Sequence, residues 1–153
     1  MKLSAGILMY RKTDGEIFVL LVHPGGPFWA KRDDGAWSIP KGEHDPSEEP
    51  EAAARREFAE ELGRVAEGNL LPLGELRQNS GKRVTAFAVQ GDFDASAIKS
   101  NMFEMEWPPH SGKLQPFPEV DRAGWFSLAD ARRKIIAGQA PFLDRLEQLC
   151  RDD

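Results

Sequence analysis

The chain has 153 residues, of which 41% are hydrophobic and 29% charged, a balance typical of an ordinary globular protein. Its formal net charge of −5 argues against general nucleic-acid binding, which requires a basic footprint. No apolar run approaches the roughly 18 residues of a membrane span, and the single cysteine, Cys150, excludes an internal disulfide. We therefore expect one domain over residues 1–153, in the reducing environment of the cytoplasm.

Two apolar, β-prone segments begin the chain, at residues 3–10 and 18–22. Asp14-Gly15 between them is a hairpin turn signal, so we predict two antiparallel strands. The continuous apolar character of the second segment predicts burial on both faces.

A long loop follows over residues 23–37, with two prolines, three glycines and two tryptophans. Loops of this length are often functional. Phe28, Trp29 and Trp37 could stack on a nucleobase or cover the core beneath the loop. His23 could contact a phosphate or simply end a strand. Among these residues, Trp29 is our candidate substrate contact.

The next segment is predicted to be helical. Pro50 suits a first helical position, three alanines follow at residues 52–54, and Gly63 is a natural stop. An apolar stripe recurs every four residues and should pack on a core. It consists of Ala54, Phe58 and Leu62.

The same helix carries an acidic face, because Glu57, Glu60 and Glu61 stand at spacings i, i+3 and i+4. Like charges at this spacing destabilise a helix by a few tenths of a kcal/mol per pair, roughly. A hard cation such as Mg²⁺ or Mn²⁺ would remove that cost. The spacing by itself also fits a solvated, acidic surface helix.

One arginine lies within this acidic group. Arg56 can reach Glu60 one turn further along the helix, and Glu48 or Glu49 toward its start. We interpret Arg56 as the counter-charge that holds the carboxylates in place.

Beyond the helix, residues 70–76 and 83–89 indicate two strands joined by a turn at residues 78–81. Residues 91–100 are polar and predict a loop. Residues 103–107 alternate with period two and predict a further strand.

Residues 108–118 contain four prolines and one glycine and predict a loop on the cleft side. In this loop, His110, Ser111 and Lys113 are possible substrate contacts or solvated residues, and we take His110 as the candidate.

The last part of the chain predicts a strand over residues 119–126 and helices over residues 128–136 and 141–151. Ser127 and Asp130 form a capping-box pattern that begins the first of these helices.

The acidic segment also has a specific spacing. It is Gly42, five residues, Glu48, seven residues, and then Arg56-Glu57-Phe58-Ala59-Glu60-Glu61-Leu62-Gly63. This pattern resembles the Nudix box of the MutT-like Nudix hydrolases, with every fixed polar and glycine position filled. It departs at Phe58, where an aliphatic residue is usual, and at Arg64, where an apolar residue is usual. The resemblance implies an α/β fold, in which a mixed β-sheet is sandwiched between helices (α/β/α).

The resemblance implies a Mg²⁺-dependent pyrophosphohydrolase, for which Mn²⁺ can substitute. Such an enzyme cleaves a nucleoside diphosphate linked to another moiety, X, by attack of water on phosphorus. Carried over to this chain, the metal ligands are Glu57, Glu60, Glu61 and the main-chain carbonyl of Lys41, and Glu57 or Glu61 could also orient the water. The residues that support the site are Gly42, which allows a tight backbone path, Glu48 and Arg56.

In this family a carboxylate outside the box often serves as base or ligand. Glu119 is our first candidate for that role, followed by Asp121 and Glu106; each could equally be a surface carboxylate. The side chain of Lys41 is a further candidate contact to a phosphate of the small phosphorylated substrate.

Moiety X is left open by the sequence. The Pro-Lys-Gly tripeptide before the box resembles the diadenosine polyphosphate and diphosphoinositol branches, while nucleoside triphosphates and ADP-ribose stay possible. A nucleotide- or ADP-ribose-binding sensor without catalysis is the alternative function. Such sensors usually lose box glutamates, and all four are present here. A structural acidic-helix protein is a third possibility, and it would show no response to Mg²⁺ or Mn²⁺.

Overall fold

The computed structural model describes residues 2–152, which form eight strands and three α-helices. The strands are β1 (Leu3–Thr13), β2 (Glu16–Pro24), β3 (Lys41–His44), β4 (Leu71–Arg77), β5 (Arg83–Gln90), β6 (Met102–Glu106), β7 (Leu114–Pro118) and β8 (Val120–Ser127). The helices are α1 (Pro50–Leu62), α2 (Leu128–Lys134) and α3 (Ala140–Arg151). Two single 3₁₀ turns lie at Ala95–Ala97 and Ala137–Gln139.

The long first strand is the centre of a six-stranded mixed sheet in the order β4-β5-β1-β2-β8, with β3 also paired to β1. β5 runs parallel to β1 along one edge, from residue 3 to residue 10. The other edge is shared, since residues 3–6 pair with β3 and residues 10–13 pair with β2. β2 then continues along β8. The first residue of the box, Gly42, therefore pairs with Ala5 on the same edge of β1 that carries β2 further along.

Two predicted hairpins are confirmed. Asp14 and Gly15 have φ values of 52° and 78°, the pair of positive values that a two-residue hairpin turn needs between β1 and β2. β4 and β5 form the second antiparallel pair, as expected from their apolar patterns.

Helices cover both faces of the sheet, which confirms the α/β/α arrangement. Alternate side chains of β1 point in opposite directions, so Leu8 and Tyr10 join one core cluster and Ile7 and Met9 the other. The first cluster includes residues of α2 and α3, and the second includes the predicted apolar stripe of α1. Within residues 2–152, the helices all lack the combination of length and apolar character needed to cross a membrane.

Two strands lie outside the strands that the sequence predicted. β3 is a four-residue strand at the start of the box. The prediction of a loop over residues 108–118 was wrong in its second half, because β7 pairs antiparallel with β6 in a separate two-stranded sheet. Pro116 and Pro118 cannot donate to a ladder, but both strands of such a hairpin have a free edge where proline is tolerated.

Candidate active site

The local sequence explains why α1 has one face in the core and one at the site. Pro50 occupies the first turn, and Gly63 ends the helix with φ 81° while its N–H donates to Ala59 O. Phe58 and Leu62 are buried against the sheet, as predicted from their spacing. Glu57, although charged, is only 7% exposed. A buried carboxylate of this kind needs compensating contacts.

Arg56 supplies those contacts to three glutamates. Its Nε and Nη2 donate to the two carboxylate oxygens of Glu48, at 3.0 and 2.9 Å. Its Nη1 donates to Glu57 Oε1 at 2.7 Å and to Glu60 Oε1 at 3.2 Å. The bidentate pair holds the pKa of Glu48 below its usual range. The guanidinium therefore fixes the loop of the box and two carboxylates of α1 in one arrangement.

Glu57 also packs directly against the first glycine of the box. A Cβ atom built on Gly42 would lie 1.9 Å from Glu57 Oε2. Burial raises the pKa of Glu57, and the neighbouring charge of Glu60 adds to this, while Arg56 opposes it. The site thus holds this carboxylate in a position that partly disfavours its charge.

Glu61 lies one turn further on, against the start of β3. Burial raises its pKa to about 8, although the charge of Lys41 and a hydrogen bond from the Lys41 N–H both lower it. The charges of Glu119 and Glu57 raise it further. Burial also lowers the pKa of Lys41, with Lys82 as the next cause. Lys41 is therefore the cation beside Glu61.

Glu119 comes to the same place from the other end of the chain. Its N–H donates to Asn101 O at 2.9 Å, and the Asn101 N–H donates to Glu60 O at 2.9 Å. Its carbonyl accepts from the Gly25 N–H at 2.9 Å. Burial and then the charge of Glu60 raise the pKa of Glu119. This backbone chain fixes Glu119 relative to the acidic face of α1.

Glu61, Glu119 and Lys41 line one cavity of about 130 Å³, whereas Glu57 and Glu60 are not among its lining residues. Its charged members are Lys41, Glu61 and Glu119. Its other walls are Val22, Pro24, Ser38, Ile39 and Val120. The cavity lies where the ends of β2, β3 and β8 meet.

A model of the NUDIX domain family matches residues 1–146. The chain belongs to the Nudix family. By family it is a Nudix-type hydrolase, as the complete box over residues 42–63 indicated.

Solved structures share the Nudix fold along nearly the whole chain. An Ap4A hydrolase from C. elegans, solved as a binary complex, is 24% identical, with all of both chains covered and a TM-score of 0.66. The NUDIX domain of NrtR from Shewanella oneidensis, solved in complex with ADP ribose, is 18% identical, with 97% of this chain and 87% of that chain covered and a TM-score of 0.67. A MutT protein from Methanosarcina mazei is 19% identical, with 98% of this chain and 95% of that chain covered and a TM-score of 0.63. These likenesses show the fold.

The Nudix box residues fit a divalent cation by their chemistry. Carboxylate and carbonyl oxygens are the donors that Mg²⁺ and Mn²⁺ prefer. Burial is the first cause of the raised pKa values of Glu57, Glu61 and Glu119, and the charge of at least one neighbouring glutamate adds to each of them. A cation would relieve this repulsion between carboxylates. Among residues 2–152, no three acidic or imidazole side chains are already gathered as a metal cluster. Arg56 instead forms ion pairs with Glu57 and Glu60.

The two further candidates for the outer carboxylate lie elsewhere. Asp121 is hydrogen-bonded to His23. Glu106 accepts from the His110 N–H at 2.7 Å, at the end of the β6–β7 hairpin. Only Glu119 of the three lines the cavity.

The candidate substrate contacts Trp29 and His110 do not line the cavity itself. Trp29 is 39% exposed in the loop, and His110 is exposed in the hairpin turn with φ 63°. Phe28 is exposed and packs edge-on against Trp107, with ring centroids 5.5 Å apart. Trp37 is buried and belongs to the core, which is the second of the two alternatives given for it.

Two residues with a part in this site had no clear signal in the sequence. Asn101 bridges Glu60 and Glu119 through its backbone alone, so its side-chain type carries no trace of that contact. Ser38 lines the cavity and is bonded to Gln139 Nε2, a hundred residues away.

His23, considered as a phosphate contact, is completely buried and has both ring nitrogens occupied.

Proposed function

We propose that this protein is a Mg²⁺-dependent pyrophosphohydrolase that cleaves a nucleoside diphosphate linked to another moiety, X. The observation that carries the proposal is the meeting of Glu61 from α1 and Glu119 before β8 in one cavity beside Lys41. A cavity with one half-buried carboxylate, one exposed carboxylate and one lysine suits a polyphosphate only when divalent metal balances the charge. The substrate would be a nucleoside triphosphate or a dinucleoside polyphosphate.

The charged residues in and beside the cavity each have a role in this proposal. Glu57, Glu60, Glu61 and the main-chain carbonyl of Lys41 would hold the cation, with Arg56 keeping the first two in place through its hydrogen bonds. When bound, Mg²⁺ or Mn²⁺ neutralises phosphate charge and lowers the pKa of bound water.

Glu119 would act as general base on the attacking water. Its pKa is raised by burial and by Glu60, and a base with a raised pKa accepts a proton more readily. The Lys41 ammonium would contact a phosphate oxygen of the substrate. The polyphosphate would thus be held between a lysine and the metal-binding carboxylates.

The test is incubation with Mg²⁺ and a panel of Ap4A, ADP-ribose, nucleoside triphosphates and diphosphoinositol phosphates. Mass analysis of products formed in isotope-labelled water identifies both the bond cleaved and the phosphorus attacked. We expect Mg²⁺-dependent cleavage of a phosphoric anhydride bond in at least one nucleotide, abolished by a chelator. No cleavage of any nucleotide, or cleavage unaffected by the chelator, would contradict the proposal.

A nucleotide- or ADP-ribose-binding sensor is the second candidate. Its support is the fold shared with the ADP-ribose-bound NrtR domain. The presence of Glu48, Glu57, Glu60 and Glu61 favours the enzyme over the sensor. Calorimetric binding of ADP-ribose with no product after long incubation with Mg²⁺ would favour the sensor.

A further inference from the structure

Gln139 is a completely buried polar residue in the 3₁₀ turn between α2 and α3. Its side-chain oxygen accepts from the Ile39 N–H at 3.0 Å, and its Nε2 donates to Ser38 Oγ at 3.0 Å. Ser38 Oγ in turn donates to Ile39 O at 2.7 Å. Ser38 and Ile39 both line the cavity. The buried amide therefore holds two consecutive residues of the cavity wall.

The chemistry of the groups fixes the direction of each of these hydrogen bonds. A backbone N–H can only donate, so the amide atom that faces Ile39 must be the oxygen. The amide nitrogen then faces Ser38, whose hydroxyl accepts from it and uses its own proton for the Ile39 carbonyl. Both amide atoms of Gln139 are thus paired, as a buried polar side chain requires.

The amide of Gln139 continues a row of main-chain hydrogen bonds. The Trp37 N–H donates to Lys134 O at 3.0 Å, and the Ile136 N–H donates to Trp37 O at 2.8 Å. Two residues further on, the Ile39 N–H donates to the side chain of Gln139 instead of a main-chain oxygen. The side chain therefore acts here as a short neighbouring strand would.

The segment held in this way, residues 38–41, is called the wall segment. The sheet holds its other side, since Ser38 exchanges two main-chain hydrogen bonds with Val22 of β2, at 2.8 and 2.9 Å. Pro40 O also accepts from the Ile7 N–H of β1 at 3.1 Å. The wall segment is thus fixed by the sheet and by the buried amide together.

The wall segment leads directly to the proposed metal-binding carboxylates. Lys41 comes two residues after Ile39, and its N–H is hydrogen-bonded to the carboxylate of Glu61. Pro40 lies between them, with a φ fixed by its ring, and a proline also restricts the residue before it. A displacement of Ile39 should therefore move the backbone of Lys41 instead of being absorbed between the two.

We propose that Gln139 is a positioning residue for the metal-binding end of the cavity. By holding Ile39, it sets the backbone of Lys41, whose N–H orients Glu61 and whose carbonyl is a proposed metal ligand. The consequences for metal binding and turnover rest on the proposed function. The hold of the amide on the wall segment does not depend on it.

Gln139→Met tests this hold, because methionine keeps an unbranched side chain and removes both amide atoms. In the metal-free, full-length protein, we expect amide hydrogen exchange at Ile39 to rise at least about tenfold. Gln78→Met is the matched control, since it removes another glutamine amide, which donates to Gly138 O of the same turn. Unchanged exchange at Ile39 in Gln139→Met, or an equal rise in both variants, would overturn the proposal.

Calorimetric titration with Mg²⁺ alone tests the effect on the metal site. Loss of a residue that orients metal ligands typically weakens metal binding 10–100-fold, so we expect Gln139→Met to raise the Kd for Mg²⁺ at least about tenfold. Leu146→Ala is the control for a general loss of core packing, because Leu146 is completely buried in the same core cluster as Ile39 and lies outside the cavity. Its Kd should stay within about twofold of wild type, as expected for a site it does not contact. Equal weakening in both variants would overturn the positioning role.

Ser38→Ala gives a separate answer should Gln139→Met not fold. It removes only the hydroxyl that holds the amide nitrogen and leaves the acceptor for the Ile39 N–H in place. We expect exchange at Ile39 to rise about threefold, because the amide loses one of its two contacts. Unchanged exchange at Ile39 in Ser38→Ala would overturn the role of this hydrogen-bonded group.

The kinetic test uses the substrate from the panel that the wild type cleaves fastest. We expect Gln139→Met to need about tenfold more Mg²⁺ for half-maximal rate, while kcat at saturating Mg²⁺ falls by less than about threefold. A lower kcat with an unchanged Mg²⁺ dependence would overturn the positioning role. If the wild type neither binds Mg²⁺ nor cleaves a substrate, the proposed function fails, while hydrogen exchange still decides whether Gln139 holds the wall segment.

Discussion

The carboxylate of Glu57 occupies the space where a side chain on Gly42 would begin. A Cβ atom at position 42 would lie 1.9 Å from Glu57 Oε2 and 2.1 Å from Glu57 Cδ. Gly42 has a φ outside the left-handed region, so its backbone does not require glycine. The sequence suggested a tight backbone path at this residue, and the structure shows instead a need for space. The first and fourth fixed residues of the Nudix box are thus in direct contact.

Gly42→Ala should therefore impair the site more than the fold. The displaced group is the end of a flexible side chain, so we expect the free energy of unfolding to fall by no more than about 1 kcal/mol. The carboxylate of Glu57 would lose its position beside Arg56, and Mg²⁺-dependent turnover should fall at least about tenfold. Urea unfolding and steady-state kinetics measure the two effects.

Gly91→Ala is the control for this substitution. A Cβ atom there would meet Met9 at 3.4 Å, an ordinary contact, so activity should be unchanged. Full activity in Gly42→Ala would show that the position of Glu57 is unimportant for turnover.

Glu61→Gln should keep the fold and reduce turnover by at least about tenfold, since it removes a proposed metal ligand from the cavity. Glu51→Gln is the matched control, because Glu51 is exposed on the first turn of the same helix and lies outside the cavity. Circular dichroism checks the fold of both variants. Wild-type Mg²⁺-dependent rates in Glu61→Gln would exclude this glutamate as a ligand.

The carboxylates also predict a link between pH, stability and metal. A carboxyl group whose pKa is higher in the folded state than in the unfolded state binds more protons when folded, so stability falls as pH rises between the two values. For Glu61 this window runs from 4.5 to about 8. We expect the urea midpoint of the metal-free protein to fall with pH across this window.

Mg²⁺ requires the ionised carboxylate, so its binding should release protons at neutral pH. Calorimetry in buffers of different ionisation enthalpy measures this release, and Glu61→Gln should diminish it. Binding of Mg²⁺ without proton release in the wild type would contradict the arrangement.

Glu119→Gln tests the proposed base. Because a base must be deprotonated to act, the rate should rise with pH through the raised pKa of Glu119, and the variant should lose that limb and most of the rate. The control is Glu104→Gln, an exposed carboxylate on β6. An unaltered limb together with an unaltered rate would exclude Glu119.

Arg56→Lys keeps the charge and removes the fork that binds Glu48, Glu57 and Glu60. We expect a loss of about 1 kcal/mol in the free energy of unfolding, modest because the arginine is 39% exposed. Arg151→Lys, in an exposed ion pair with Glu147 at 3.6 Å, should change stability by much less. Equal stability of the two variants would mean that the network around Arg56 adds nothing to the fold.

Local patterns predicted much of the fold. Asp14-Gly15, the apolar spacing of Ala54, Phe58 and Leu62, and the glycine stop at residue 63 act over a few residues, and each element that they predicted is present. β7 was missed because proline disfavours a strand except on an edge that has no neighbouring strand. Whether β7 has such an edge depends on its pairing with β6 alone, which the tertiary structure decides. The parallel pairing of β1 with β5 joins residues about eighty positions apart and has no local signature.

By itself, the sequence determined the acidic face of α1 and the complete Nudix box, since helical spacing places Glu57, Glu60 and Glu61 together whatever surrounds them. Only the tertiary structure decided that Glu119 and Glu61 line one cavity, because Glu119 is fixed beside α1 through the backbone of Asn101, which bonds to Glu60. It also decided that His23 is buried between Asp121 and the backbone of Arg32, and that Gly42 makes room for Glu57. Those facts depend on the distance between atoms far apart in the chain, which residue spacing does not encode.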